Sequence, residues 1–94
     1  MDKMNDREIE KVLKELHGWS LKEDAITKSF KFKDFKEAFS AMTRIAFECE
    51  AQDHHPDWKN VYNTLHIYLN THDAGGVTQK DIRLAQTIDG IIEK

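Results

Sequence analysis

Three times along the chain a capping residue stands three positions ahead of an acidic one, with an apolar run at helical spacing behind it. The pairs are Asn5 and Glu8, Asp34 and Glu37, and Thr78 and Asp81. A short polar side chain satisfies the free amides of a first helical turn, and a carboxylate three residues on can reach back to the cap. Behind the first signal Ile9, Val12, Leu13 and Leu16 fall at i, i+3, i+4 and i+7, one stripe that Gly18 ends. Behind the second, Phe35, Ala38, Phe39, Met42, Ile45, Ala46 and Cys49 trace a stripe of about four turns. The third leads Ile82, Leu84, Ala85, Ile88, Ile91 and Ile92. Three helices so placed leave two gaps, and the gaps decide the fold.

Both gaps read as strand pairs. In the first, Trp19 to Lys22 and Ala25 to Phe32 flank the acidic turn Glu23-Asp24, with Ile26, Lys28, Phe30 and Phe32 on one side of the second strand. In the second, Pro56 ends any helical continuation and biases His55 towards an extended backbone. Trp58 to Tyr62 and Thr64 to His72 follow, with Asn63 in the turn and Leu65, Ile67 and Leu69 alternating with His66, Tyr68 and Asn70. Gly75-Gly76 marks a loop. The order α-β-β-α-β-β-α predicts an α+β fold: a four-stranded antiparallel sheet with helices on one face, two layers in all.

At 94 residues the chain is a single domain, residues 1–94, with a core small enough to make oligomerisation expected. A net charge of −3 with dispersed lysines leaves no clustered basic face for nucleic acid. Lys28, Lys31, Lys33 and Lys36 alternate with Phe30, Phe32, Asp34 and Phe35, which reads as a lysine-bearing edge strand. One cysteine, Cys49, excludes an internal disulfide, suits a reducing compartment, and lies on a helical stripe as a small core residue. The first six residues carry no apolar run, so a secretory signal is not expected, nor is any stretch long enough to span a bilayer. A cytoplasmic location follows as an expectation.

The chemistry concentrates between Glu50 and Asp81. There is no phosphate-binding glycine loop, no cysteine pair and no nucleophile elbow, but four of the five histidines lie in this region. Imidazole titrates nearest neutrality and can give or take a proton at working pH. His54 and His55 precede one strand and His72 closes the next, so a hairpin brings all three to one end of the sheet. Glu50, Asp53, Asp57 and Asp73 stand around them as carboxylates able to fix a tautomer, and Trp58 and Tyr62 as a possible aromatic wall. His66 reads as a packed or interfacial side chain, and His17 as a cation at a helix end. Three readings stay open on spacing alone. The histidines form an acid–base or ligand site, they hold zinc or iron with a carboxylate, or they are structural. Adjacent histidines on an extended chain point opposite ways, which is awkward for sharing one ion.

Glu50-x-x-x-His54-His55-Pro56-x-Trp58-x-x-Val61-Tyr62, followed by Thr71-His72-x-x-Gly75-Gly76-Val77-Thr78-x-x-Asp81, resembles the signature of the pterin-4a-carbinolamine dehydratases. Gly18-Trp19, Phe30-x-Phe32-x-Asp34-Phe35 and Asp81-Ile82 with Leu84-Ala85 extend the likeness over nearly the whole chain. The resemblance implies dehydration of a 4a-hydroxytetrahydropterin, such as 4a-hydroxytetrahydrobiopterin, to the quinonoid dihydropterin, with no metal or organic cofactor. It implies His54 and His72 as acid–base groups and His55, assisted by Glu50, as the group that orients the pterin. Asp53, Asn70, Thr71 and Asp73 would line the pocket, Trp58 would form part of its wall, and Asp81 would support it from the helix cap.

The resemblance also carries alternatives. Vertebrate members double as dimerisation partners of a homeodomain transcription factor through the long helix, where this chain offers Phe35, Phe39, Met42 and Phe47. A pterin-binding role near molybdopterin metabolism would use the same site. Family members are dimers or tetramers, so a homo-oligomer is implied, with a small-molecule pterin as the ligand and no direct nucleic-acid or membrane partner.

Overall fold

The computed structural model describes residues 2–93 and has the expected order. Helix α1 spans Asp6–Leu13, strands β1 and β2 Ser20–Lys22 and Ala25–Lys31, and helix α2 Phe35–Gln52. Strands β3 and β4 span Asp57–Val61 and Thr64–Leu69, a 3-10 turn spans His72–Ala74, and helix α3 spans Gln79–Ile92. The sheet runs β1-β2-β4-β3 and every pairing is antiparallel. Each hairpin turns in two residues, and the hairpins join along β2 and β4, where Ile26 faces Leu69, Lys28 faces Ile67 and Phe30 faces Leu65.

All three helix caps form. Asn5 and Thr78 make complete capping boxes with Glu8 and Asp81. Asp34 accepts from the Glu37 amide, while the Glu37 carboxylate takes the amide of Lys33 rather than that of the cap. Leu65, Ile67 and Leu69 are fully buried beneath the helix layer together with Ile26, Ile45, Leu84 and Ile88. Burying one such side chain contributes roughly 1.5–3 kcal/mol. A one-residue slip of β4 would turn its whole inner row to solvent, so the burial fixes the register.

Several expectations need correction. Helix α1 stops at Leu13; Leu16 is buried from the turn beyond it, and Gly18, at φ 86°, closes that turn. His17 therefore lies past the helix end and contributes its carbonyl to Lys28. Strand β2 is interior to the sheet, not an edge, because β1 covers its first half. Strand β4 ends at Leu69, so His72 opens a 3-10 turn instead of closing a strand.

The largest correction concerns α2. Its buried face is Ala38, Ala41, Ile45 and Cys49, whereas Phe35, Phe39 and Phe47 are 48%, 55% and 72% exposed. The helix packs against α3 and β4, and Gln52 Nε2 donates to Thr87 Oγ1 across the helix pair at 2.9 Å. Alanines allow two helices to approach closely and phenylalanines do not.

Candidate active site

The end of α2 places the first two histidines. Asp53 takes a left-handed conformation (φ 50°, ψ 45°), and the last turn closes as a Schellman motif. The His54 amide donates to the Cys49 carbonyl at 3.0 Å and the Asp53 amide to the Glu50 carbonyl at 3.3 Å. The reversal points consecutive residues apart: His54 goes inward and is 8% exposed, while His55 remains at the surface. The third histidine is placed by the loop after β4. Thr71 bridges to Gly76, its amide donating to the Gly76 carbonyl at 2.8 Å, and Gly75 turns the chain at φ 75°. His72 stands exposed on that closed loop.

The two histidines before Pro56 hold different carboxylates. His54 Nε2 donates to Oδ1 of Asp81 at 2.5 Å, and His55 Nε2 donates to Oε2 of Glu50 at the same distance. Asp81 is fully buried, and its other oxygen, Oδ2, accepts from Thr71 Oγ1 and from the Thr78 amide, both at 2.9 Å. Since Thr71 gives its hydroxyl proton to Asp81, Thr78 is the donor in the 2.6 Å contact between the two hydroxyls. Both oxygens of the Asp81 carboxylate thus accept, Oδ2 from two donors and Oδ1 from the imidazole. The carboxylate therefore holds the His54 proton on Nε2 and leaves Nδ1 as the nitrogen that can exchange one. The His55–Glu50 pair, by contrast, is solvent-exposed on both sides and contributes little energy.

A polar cavity of about 400 Å³ opens here, lined by Asp53, His54, His55, Pro56, Asp57, Asn70, Thr71, His72, Asp73 and Lys80. All three histidines singled out from the sequence line it, with Asp53, Asn70, Thr71 and Asp73. Asp81 lies behind the wall and acts through His54 and Thr71. Glu50 reaches the site only through His55. Trp58 is not among the lining residues; it sits opposite Ile67 in the sheet, half-buried against the core beneath the helices. Among the described residues no three His, Cys, Asp or Glu groups cluster so as to hold one metal ion.

Two residues were not picked out for the site from the sequence. Thr78 was legible only as a helix cap, yet its buried hydroxyl joins the chain to Asp81. Lys80, the second residue of α3, is the one lysine among the described residues that lines the cavity. Its signal was its position just behind a cap that follows a Thr-His pair.

The antiparallel sheet backed by helices thus carries, at the end of one hairpin, a polar cavity lined by three imidazoles, two of them held by carboxylates. The family model for pterin 4 alpha carbinolamine dehydratase matches residues 2–91. A protein of Christiangramia forsetii that carries the name pterin-4-alpha-carbinolamine dehydratase is 55% identical over 93 residues, covering 99% of this chain and 96% of that protein. One of Nitrobacter winogradskyi with the same name is 48% identical, covering 97% and 92%. The crystal structure of a transcriptional coactivator/pterin dehydratase from Brucella melitensis superposes with a TM-score of 0.93 at 41% identity, covering 96% of this chain and 98% of that one. The chain belongs to the pterin-4a-carbinolamine dehydratase family, a family of hydro-lyases.

Proposed function

We propose that this chain removes water from 4a-hydroxytetrahydropterins, with 4a-hydroxytetrahydrobiopterin as the model substrate, in the recycling of tetrahydropterin after an aromatic amino-acid hydroxylase. The C4a–O bond breaks as the lone pair of the neighbouring ring nitrogen forms a C=N bond. One imidazole, protonated, gives a proton to the departing hydroxyl, and the other takes the proton from that nitrogen. The sum is the quinonoid dihydropterin and water, with no change of oxidation state, so proton transfer alone suffices and neither metal nor organic cofactor is required. His54 and His72 are the two proton-transfer groups. His55, steadied by Glu50, orients the ring, with Asp53, Asn70, Thr71 and Asp73 around it.

The observation that carries this reading is the buried Asp81–His54 pair, which sets one tautomer at the wall of a cavity that His72 also lines. The test is carbinolamine dehydration by wild type, His54→Ala and His72→Ala. Each variant should lose roughly a hundredfold or more in kcat while keeping its far-UV circular dichroism. Normal turnover in both would end the mechanism.

A second reading is favoured by the exposed phenylalanines of α2: this helix face meets a protein partner or another copy of the chain. Phe35 and Phe39 lie side by side with ring centroids 5.7 Å apart and planes tilted by 31°, and Phe47 stands 72% exposed. Light scattering on Phe47→Lys should report a smaller particle than wild type, and an unchanged mass would place the interface elsewhere. No helix among the described residues is long and apolar enough to cross a membrane.

A further inference from the structure

Carboxylates hold the rings of His54 and His55, whereas no side chain among the described residues bonds the ring of His72. Its placement therefore comes from the backbone of the loop that carries it. That loop is tied to itself and to the α3 cap. Thr71 bridges to Gly76, the Gly75 amide donates to the Thr71 carbonyl at 3.0 Å, and the Thr71 hydroxyl reaches Asp81. Among the described residues, one backbone hydrogen bond joins the loop to a distant segment: the Met4 amide donates to the Val77 carbonyl at 2.7 Å. Val77 is 1% exposed, so water has little access to that carbonyl, and losing the donor would leave it unsatisfied. The segment that brings Met4 there is itself anchored. Asn5, the next residue, caps α1, and Ile9 of that helix is buried in the core. Lys3 covers Gly76 so closely that a Cβ there would lie 3.1 Å from Lys3 Cδ. Behind the loop a cavity of about 450 Å³ separates Gly75, Gly76 and Val77 from Leu21 of β1. A loop released from Met4 has room to move back into it.

We infer that Met4 is a positioning residue for the dehydration: its backbone amide, by holding the Val77 carbonyl, sets where His72 stands in the cavity. The inference rests on the dehydratase reading, in which His72 moves a proton. Proton transfer needs both imidazoles within hydrogen-bond reach of one substrate, and a misplacement of about 1 Å can cost roughly a hundredfold in rate. Asp81 fixes His54 from the helix cap. Met4 does the corresponding work for His72 from the other end of the chain, through backbone alone.

The test measures carbinolamine dehydration by Met4→Pro, which lacks the amide proton, and by Met4→Leu, which keeps it and a side chain of similar volume. Each is made in the wild-type chain and in His72→Ala. Met4→Pro should lower kcat about tenfold or more in the wild-type background. In His72→Ala, where no imidazole is left to place, the same change should cost less than about twofold. Met4→Leu should stay within about twofold of its parent in both. Amide hydrogen exchange reads the loop apart from activity: the Thr71 and Gly75 amides should exchange about tenfold faster in Met4→Pro and as in wild type in Met4→Leu. A chain with an ester oxygen in place of the Met4 N–H, made by ligating synthetic residues 1–48 to residues 49–94 at Cys49, repeats the comparison without a proline ring. Unchanged kcat in the proline and ester proteins would overturn the positioning role and leave the dehydratase reading intact. An equal loss in the two backgrounds would overturn it too, because the amide would then act on the fold at large. If wild type does not dehydrate the carbinolamine, the dehydratase reading fails and this role for Met4 goes with it.

Discussion

Helix α3 carries two carboxylates in hydrogen-bonded clusters, Asp81 in its first turn and Asp89 near its last, about two turns apart. Asp81 sits where the helix dipole favours an anion, and its partners are an imidazole, a hydroxyl and an amide. Asp89 sits where the dipole disfavours one, in a last turn that has no basic residue of its own. It is compensated from elsewhere: Trp19 Nε1 donates to both its oxygens at 3.1 and 3.0 Å, and Lys28 Nζ lies 3.0 Å from Oδ1. The lysine has no proton to spare. It also bonds the His17 carbonyl at 2.8 Å and Glu93 at 3.0 Å, and lies over the Phe30 ring at 4.7 Å. The same residue type on the same helix thus does two jobs. A carboxylate matched to a lysine fastens the fold. A carboxylate matched to a histidine leaves one ring nitrogen unpaired, the one to which the proposed mechanism gives the proton transfer.

The most direct way to break this comparison is to neutralise each carboxylate in turn. In Asp81→Asn the amide oxygen can still accept from Thr71 and Thr78, which turns the NH2 group towards His54. That imidazole must then accept at Nε2 and carry its proton on Nδ1, the wrong tautomer for exchange. We expect kcat to fall roughly a hundredfold, whereas Asp89→Asn stays within about twofold of wild type. Equal losses in the two variants would mean that the clusters are not functionally distinct.

Lys28→Met probes the other cluster. Removing the cation leaves a carboxylate that is 18% exposed and opposed by the helix dipole, and we expect about 3 kcal/mol of lost stability. The urea midpoint should fall while turnover per folded molecule is retained. An unchanged midpoint would make the pair ornamental.

How much of this contrast the sequence disclosed depended on how local each signal was. Capping boxes, the Pro56 break and the alternation along β4 are properties of a few adjacent residues, and all three were legible. The buried face of helix α2 was not, because its apolar residues cover two faces. Phe35, Phe39 and Ala46 form one, and Ala38, Ala41, Ile45 and Cys49 the other. Hydrophobicity alone favours the larger side chains, but the close approach of α3 selects the alanines. Hairpin geometry anticipated that the three histidines would share an end of the sheet. The hydroxyl chain from Thr78 through Thr71 to Asp81 joins a loop to a helix cap, and a cap signature gives no hint of a second partner. The Lys28 cluster was missed for the same reason, since β2, α3 and the turn after α1 meet there from distant parts of the chain.

Gly18→Ala sharpens the structural side further. Gly18 is left-handed at φ 86°, and a Cβ there would lie 2.9 Å from Lys28 Cε, the arm of the ammonium that four groups share. A flexible lysine could ordinarily move aside, but this one is held at both the carbonyl and the carboxylates. Backbone strain and a displaced Lys28 together should cost about 2 kcal/mol. In a Lys28→Met background the steric part should shrink, and additive losses would show that the two residues are not coupled.

The smallest effect belongs to a buried titratable group with no counter-charge. Cys49 is 2% exposed at the end of α2, and burial first, then the Glu50 carboxylate, pushes its thiol up from 9.0 to about 11. Without a partner such as Lys28 gives Asp89, the group stays neutral instead of forming a pair. The folded state then keeps a proton that the unfolded chain releases above pH 9.0, so stability falls as pH rises from there and levels off beyond about 11. At pH 10 the thiol should account for about 1.4 kcal/mol of lost stability, a loss absent from Cys49→Ala. Urea titrations of both proteins at pH 8 and pH 10 measure it as the difference between their two pH slopes. Parallel slopes would mean that the thiol ionises as freely in the folded protein as in the unfolded chain, and that burial without a partner does not hold its proton.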